Sequence, residues 1–269
     1  MAYVETALSG GVLTVTLADE ERRNVLSTEL MAELVAALDE ADADPSVRVV
    51  VLTNRGRVFC AGADLSARSR ADAPVTPTAP TDLFGRFSRS PKPYVGRIAG
   101  HCVAGGMGLA AGLDISIAVD TALFGFTEVR IGVAPAMISV VCLPKMRAAD
   151  ARAALLRGNR FPAAEAVRIG LINEAVPADD LDAAVAAVVT DLLAGGPGAL
   201  AATKQLLAQV PAMPVDEASA WTADLSARLF ASDEAKAGMG AYLEKRPAPW
   251  LVAPAGAPGP DAPDESTSR

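Results

Sequence analysis

The sequence predicts an α/β fold whose C-terminal part is helical, and three observations carry that expectation. Early in the chain the apolar residues change from alternating to helical spacing and then to a continuous run, which is the order strand, helix, strand. Two turns of small residues, Ala61-Gly62-Ala63 and Ala104-Gly105-Gly106, each come after a strand pattern. Beyond Pro135 the patterns are helical and rich in alanine.

Taken in order, Leu13, Val15 and Leu17 alternate with Val12, Thr14 and Thr16, which marks a strand of branched side chains with one covered face. A charged turn, Asp19 to Asn24, follows. From Ser27 onward Leu30, Leu34 and Leu38 recur with Ala37 and Ala41 beside them, the stripe of a helix lying on a core. Ser27 or Thr28 is placed to cap that helix, and Glu29 suits its positive end. Val47 to Thr53, broken only by Arg48, reads as a strand covered on both faces. Ser66 to Lys92 differs from its surroundings, with Pro74, Pro77, Pro80 and Pro91 and an excess of arginines over Asp72 and Asp82. It reads as a loop, either solvated or a lid whose arginines meet an anionic ligand.

Pro93 to Ala99 is a buried strand that runs into the turn Gly100 to Gly108, with a helix opening at Leu109. Asp114 to Val119 is a further strand, and Ala122 to Phe126 a short extended piece. Helix patterns then cover Ser139 to Met146, Ala149 to Arg157, Leu181 to Leu193, Ala199 to Gln209 and Glu217 to Phe230, and Gly158 and Gly170 suit helix C-termini. From Ala253 the chain has no periodicity and reads as a disordered tail, 253–269.

Composition narrows the function. At 269 residues and 51% hydrophobic the chain can bury a sizeable core. With Lys+Arg 24 against Asp+Glu 32 it carries a net charge of −8, which argues against nucleic acid and anionic lipid as partners. Cys60, Cys102 and Cys142 are odd in number and in no metal-ligand spacing, so neither disulfides nor a metal site is expected, and a reducing cytoplasm fits. No signal peptide or membrane span is expected either.

The chemistry concentrates at the two small-residue turns. Glycines at a strand-to-helix junction admit a ligand close to the backbone, where helix-start N–H groups can hold an anion or a developing oxyanion. The same glycines also serve close helix packing, and the residues alone leave both roles open. Glu128 stands among apolar and small residues at a turn; burial there would raise its pKa and fit it to shuttle protons. His101, the only histidine, adjoins the second turn, either touching substrate or packed and hydrogen bonded. Asp64 suits a local backbone cap, and Cys60 and Cys102 suit small apolar fillers.

Phe59-Cys60-Ala61-Gly62-Ala63-Asp64-Leu65, then Gly100 with Ala104-Gly105-Gly106, then Phe124 to Pro135 resemble the three signature segments of the crotonase superfamily, the enoyl-CoA hydratases and isomerases. The similarity continues through Ala164 to Glu174 and Ser232-Asp233-Glu234 to Tyr242 to Pro247, covering roughly residues 3–250. The resemblance implies a spiral of ββα units: a core, 1–198, holding an acyl-CoA site, and a helical oligomerisation subdomain, 199–252. It further implies a homotrimer or a dimer of trimers.

By resemblance the backbone N–H groups of Ala63 and Gly105 form an oxyanion hole for the thioester carbonyl, with Glu128 as the proton-handling residue. CoA, which enters as part of the substrate, would lie along Asn24, Val25, Leu26, Ala61, Gly62, Asp64 and Leu65, with His101, Gly106 and Gly108 nearby; no separate cofactor is implied. Hydratases of this family use two glutamates, and the earlier position here is Gly108. A double-bond shift needs only one, so the expected activity is isomerisation of an enoyl-CoA. The alternatives are a hydratase or CoA-ester hydrolase using a non-standard second group, and a non-catalytic acyl-CoA binder. On the sequence, Gly108→Glu is expected to raise hydration.

Overall fold

Strands β1 (Val4–Ser9) and β2 (Val12–Leu17) form an antiparallel hairpin and lead into helix α1 (Thr28–Ala43). The computed structural model describes residues 2–68 and 80–251. As the alternation requires, Leu13, Val15 and Leu17 are buried while Val12, Thr14 and Thr16 are less so. Ser27 caps α1 by accepting a hydrogen bond from the Leu30 N–H at 3.2 Å, and Leu30, Leu34, Ala37, Leu38 and Ala41 are the buried stripe.

Three units then repeat one plan, with one strand in a large sheet, the next in a small sheet, and then helix. The first is β3 (Val49–Asn54), β4 (Val58–Cys60), α2 (Leu65–Arg68) and α3 (Pro80–Arg89). The second is β5 (Tyr94–Ile98), β6 (His101–Val103) and α4 (Gly105–Gly112). The third is β7 (Ile115–Val119), β8 (Leu123–Gly125), a 3-10 turn at Glu128–Ile131, α5 (Ala136–Cys142) and α6 (Ala148–Arg157). β9 (Phe161–Pro162), α7 (Ala163–Arg168), β10 (Glu174–Val176) and α8 (Leu181–Ala194) complete the core, and α9 (Pro197–Gln209), α10 (Val215–Ala231) and α11 (Asp233–Leu243) follow. The large sheet runs β1-β2-β3-β5-β7-β10 and is parallel apart from β1; the small one runs β4-β6-β8-β9, with β9 antiparallel. All six residues of β3 are buried, as the continuous apolar run predicts.

Part of the predicted loop Ser66 to Lys92 is ordered helix. In α3, Leu83, Phe84 and Phe87 are buried, and Arg86 pairs with Asp39 at 2.5 Å and Asp42 at 2.8 Å on α1. That arginine serves the protein's own carboxylates. Pro80 opens the helix, where a missing N–H costs nothing. The stretch 69–79, and the predicted tail 253–269, lie outside the described residues. Helix α9 is tied to the core by buried Lys204, which donates to the carbonyls of Phe87 (2.7 Å) and Lys92 (2.8 Å) and to Asp114 (2.5 Å). Among the described residues no single helix is long and apolar enough to cross a membrane.

Candidate active site

A cavity of about 900 Å³ opens where β4, β6 and β8 end. Ala61 and Ala63 follow β4, Ala104 and Gly105 follow β6, and Thr127 and Glu128 follow β8, so parallel strands deliver three turns to one place. Leu26, Leu65, Phe84, Met137 and Ile138 supply apolar wall, and the segment 158–160 closes one side.

The first two turns touch. A Cβ on Gly62 would lie 2.7 Å from the Ala104 Cβ and 2.9 Å from the Gly105 nitrogen, and one on Gly105 would lie 3.6 Å from the Ala63 nitrogen. Only glycine at residue 62, with φ +89°, permits that approach. The Leu26 N–H donates to the Gly62 carbonyl at 2.7 Å, pinning the turn to the segment before α1. Ala104 takes φ 49° and ψ −124°, a strained conformation for a residue with a side chain, and it starts α4. The N–H groups of Ala63 and Gly105 have no acceptor among the described residues. Two residues whose amides lack an acceptor among the described residues thus line the cavity, the second at the positive end of a helix.

Glu128 begins the 3-10 turn on the facing wall. Its Oε2 is buried and without a hydrogen-bond partner among the described residues. Burial raises its pKa above the ordinary glutamate value, opposed only by a bond from its own backbone N–H. A carboxylate so placed is a stronger base than one in water and holds a proton at higher pH.

Gly108, the second residue that bears on the chemistry, is buried in α4. A Cβ there would lie 2.5 Å from Ile138 Cγ2 and 2.8 Å from Phe84 Cε1, both residues of the cavity wall. The volume a side chain at 108 would need is occupied from α3 and α5. The expectation that Gly108→Glu simply supplies a second carboxylate is therefore corrected: there is no room for it beside Ile138 and Phe84.

A family model described as enoyl-CoA hydratase/isomerase matches residues 7–252. The chain belongs to the enoyl-CoA hydratase/isomerase family. It is 34% identical to enoyl-CoA hydratase EchA19 of Mycobacterium tuberculosis over 88% of this chain and 92% of that one. Among solved structures it is similar to Pseudomonas aeruginosa AtuE, with TM-score 0.86 at 30% identity over 93% of this chain and all of that one (100%). An enoyl-CoA hydratase of Mycobacterium smegmatis matches with TM-score 0.85 at 28% identity over 93% of this chain and 99% of that one. The crotonase fold and the processing of acyl-CoA follow from that membership.

Within this family member, not every sequence-derived site residue reaches the cavity. Leu26, Ala61, Ala63, Leu65, Gly105 and Glu128 do. Asn24 does not: it is fully buried, and its Nδ2 donates to the carbonyls of Val58 (2.7 Å) and Arg55 (3.2 Å), so its side chain holds the turn before β4. Val25 lies between Asn24 and Leu26, its N–H on the Arg22 carbonyl at 3.4 Å, and is not in the wall. Gly62 and Gly106 are packing glycines; a Cβ on Gly106 would lie 2.5 Å from the Cys60 carbonyl. Asp64 accepts from the Ser66 N–H at 3.0 Å and caps α2.

His101 faces away from the cavity. Its Nδ1 accepts the Leu123 N–H at 3.0 Å, and it borders a neighbouring cleft of about 410 Å³ with Arg23, Arg57 and Arg160. The three cysteines are buried, and burial pushes the thiols of Cys60 and Cys142 up to about 12, so none is a ready nucleophile. Sequence reasoning missed Phe84, Ile138, Arg130 and Arg160 in the wall. The helical spacing of Leu83, Phe84 and Phe87 is the signal that could have shown α3.

Proposed function

We propose that this family member shifts the double bond of an enoyl-CoA, converting a 3-enoyl thioester to its conjugated 2-enoyl isomer. One observation carries this reading: among the described residues Glu128 is the only carboxylate in the cavity wall, and the space a side chain at Gly108 would enter is held by Phe84 and Ile138. The thioester carbonyl accepts hydrogen bonds from the N–H groups of Ala63 and Gly105. Glu128 removes a proton from C2, the C2–H electron pair becomes the enolate, and charge gathers on the thioester oxygen. The electrons then return from the oxygen, a double bond forms between C2 and C3, and the C3–C4 π bond opens as its electron pair takes the proton from Glu128 at C4.

A fixed oxyanion donor is worth about 3–4 kcal/mol, and a positioned general base about 10²–10⁴ in rate. The step asks for nothing beyond these three groups, with CoA arriving on the substrate. A homotrimer or dimer of trimers built through residues 199–252 belongs to the same reading. Exposed Leu207, Val215, Phe230, Tyr242 and Leu243 on α9 to α11 support it.

A second reading, hydration of a 2-enoyl-CoA, is favoured by the names of the relatives, EchA19 among them. Glu128 would then hold the attacking water through its unpartnered oxygen. The deciding assay offers 3-enoyl and 2-enoyl esters of one chain length and follows absorbance of the conjugated thioester. Absorbance gained from the 3-enoyl ester supports isomerisation. Rapid loss from the 2-enoyl ester with no gain from the other replaces it with hydration, and silence on both removes the enoyl-CoA reading.

A further inference from the structure

The cavity wall holds two arginines that the proton shift does not use. Arg130 stands two residues after Glu128 on the same 3-10 turn, and Arg160 lies just before β9. Neither forms an ion pair among the described residues. The guanidinium of Arg130 has one long bond, 3.4 Å from Nη2 to the Arg157 carbonyl. Its stem runs beside Gly158, which has φ +59°; a Cβ at 158 would lie 3.2 Å from Arg130 Cγ and 2.6 Å from Val129 Cγ2. The stem is thus seated by a residue that must stay small.

Among the described residues Glu128 forms no ion pair with either arginine. Two arginines, both exposed to solvent, therefore border a mostly apolar cavity in which Glu128 is the only carboxylate among the described wall residues, in a chain of net charge −8. A planar guanidinium is the group that recognises a carboxylate bidentately. Arg160 also borders the neighbouring arginine-lined cleft, but Arg130 borders the acyl cavity only, so Arg130 carries the argument.

We propose that the acyl group handled by this site ends in a carboxylate, and that Arg130, with Arg160 beside it, grips that carboxylate while the thioester sits at Ala63 and Gly105. The inference rests on the enoyl-CoA reading above. Its test compares hex-3-enoyl-CoA with the mono-CoA ester of hex-3-enedioic acid, which differ only in the terminal group, on the full-length protein. The dioic ester is expected to have the higher kcat/KM by a factor on the order of 10 to 100, the scale of one charge-assisted hydrogen-bond pair. Arg130→Gln is expected to abolish that ratio, and Arg130→Lys, which keeps the charge and loses the fork, to retain part of it.

Equal use of the two esters, or preference for the plain one, overturns the inference and leaves the enoyl-CoA reading standing. So does a proportional loss on both esters in Arg130→Gln, which would assign the guanidinium to the CoA part or to the fold. Failure to isomerise or hydrate either ester overturns the enoyl-CoA reading itself.

Discussion

The packing above Gly108 can be tested by a double-mutant cycle with Ile138. Gly108→Ala puts a methyl 2.5 Å from Ile138 Cγ2 and 2.8 Å from Phe84 Cε1, against the roughly 3.5–4 Å at which carbon atoms rest. Overpacking of this kind costs about 1–3 kcal/mol, partly offset by about 1 kcal/mol for alanine over glycine within α4. Ile138→Ala alone removes the clashing atom from a side chain that is 3% exposed and costs about 2–5 kcal/mol. If the new methyl takes the volume that Ile138 vacates, the double variant costs less than the two single losses together by about 1–3 kcal/mol. Urea unfolding at unchanged m-value reads this directly, and each kcal/mol moves Tm by about 2–4 °C. Additivity within about 0.5 kcal/mol, or a stable Gly108→Ala protein, would refute the claim that Ile138 fills the space at 108. The functional consequence follows: Gly108→Glu alone gains no hydration, whereas Gly108→Glu combined with Ile138→Ala does.

Glu128→Gln is expected to lower kcat by about 10²–10⁴ and at the same time to raise Tm at neutral pH. The folded-state pKa of Glu128 is raised, so its stability contribution is whole below the unfolded glutamate pKa of about 4.3 and is lost as pH rises through the folded value. Melts over pH 4 to 8, as a working range of roughly that width, should therefore show the variant's advantage shrinking toward acid. Because the base must be ionised to take the C2 proton, the acid limb of kcat/KM should fall above the ordinary glutamate pKa, and its position marks Glu128 as the group responsible. Ala104→Gly relieves the positive φ and is expected to leave Tm unchanged or higher by up to about 1 kcal/mol of stability; a fall of that size in a thermal melt contradicts the strain.

Much of the fold was legible where the signal is local. The stripe on α1 and its Ser27 cap, the covered strand β3, and the helices α8 to α10 follow from spacing alone. Strand β1 was not read, because its residues are mostly exposed and only one neighbour holds it, so alternation is faint. Strand β6 was hidden inside what looked like a single turn from Gly100, and α3 behind its flanking prolines.

At the site, the two small-residue turns and Glu128 were legible as candidates from the residues, while Ala63 and Gly105 were singled out within those turns by the resemblance. Which glycines face a ligand and which face the chain was not. Gly105 borders the cavity while Gly62 and Gly106 abut neighbouring backbone, and nothing in a run of small residues separates these cases. His101 turned away and Asn24 turned inward for the same reason: their partners, the Leu123 N–H and the Val58 and Arg55 carbonyls, are remote in sequence.

The distribution of unmet needs favours catalysis over mere binding. Strain at Ala104 and an orphaned, buried carboxylate oxygen at Glu128 each cost about 1–3 kcal/mol, and both border one cavity with the amides of Ala63 and Gly105, which have no acceptor among the described residues. The other buried side-chain atoms without partners belong to groups bonded elsewhere: Arg48 and Arg86 through their remaining nitrogens, Asn24 through its amide. The bond Glu128 receives comes from its own backbone. A site that only held a thioester would use the two amides and would be better served by an apolar residue opposite them. A carboxylate kept half-buried, without a cation to steady it, lowers stability in its charged form and gains only from a proton that must be taken and returned.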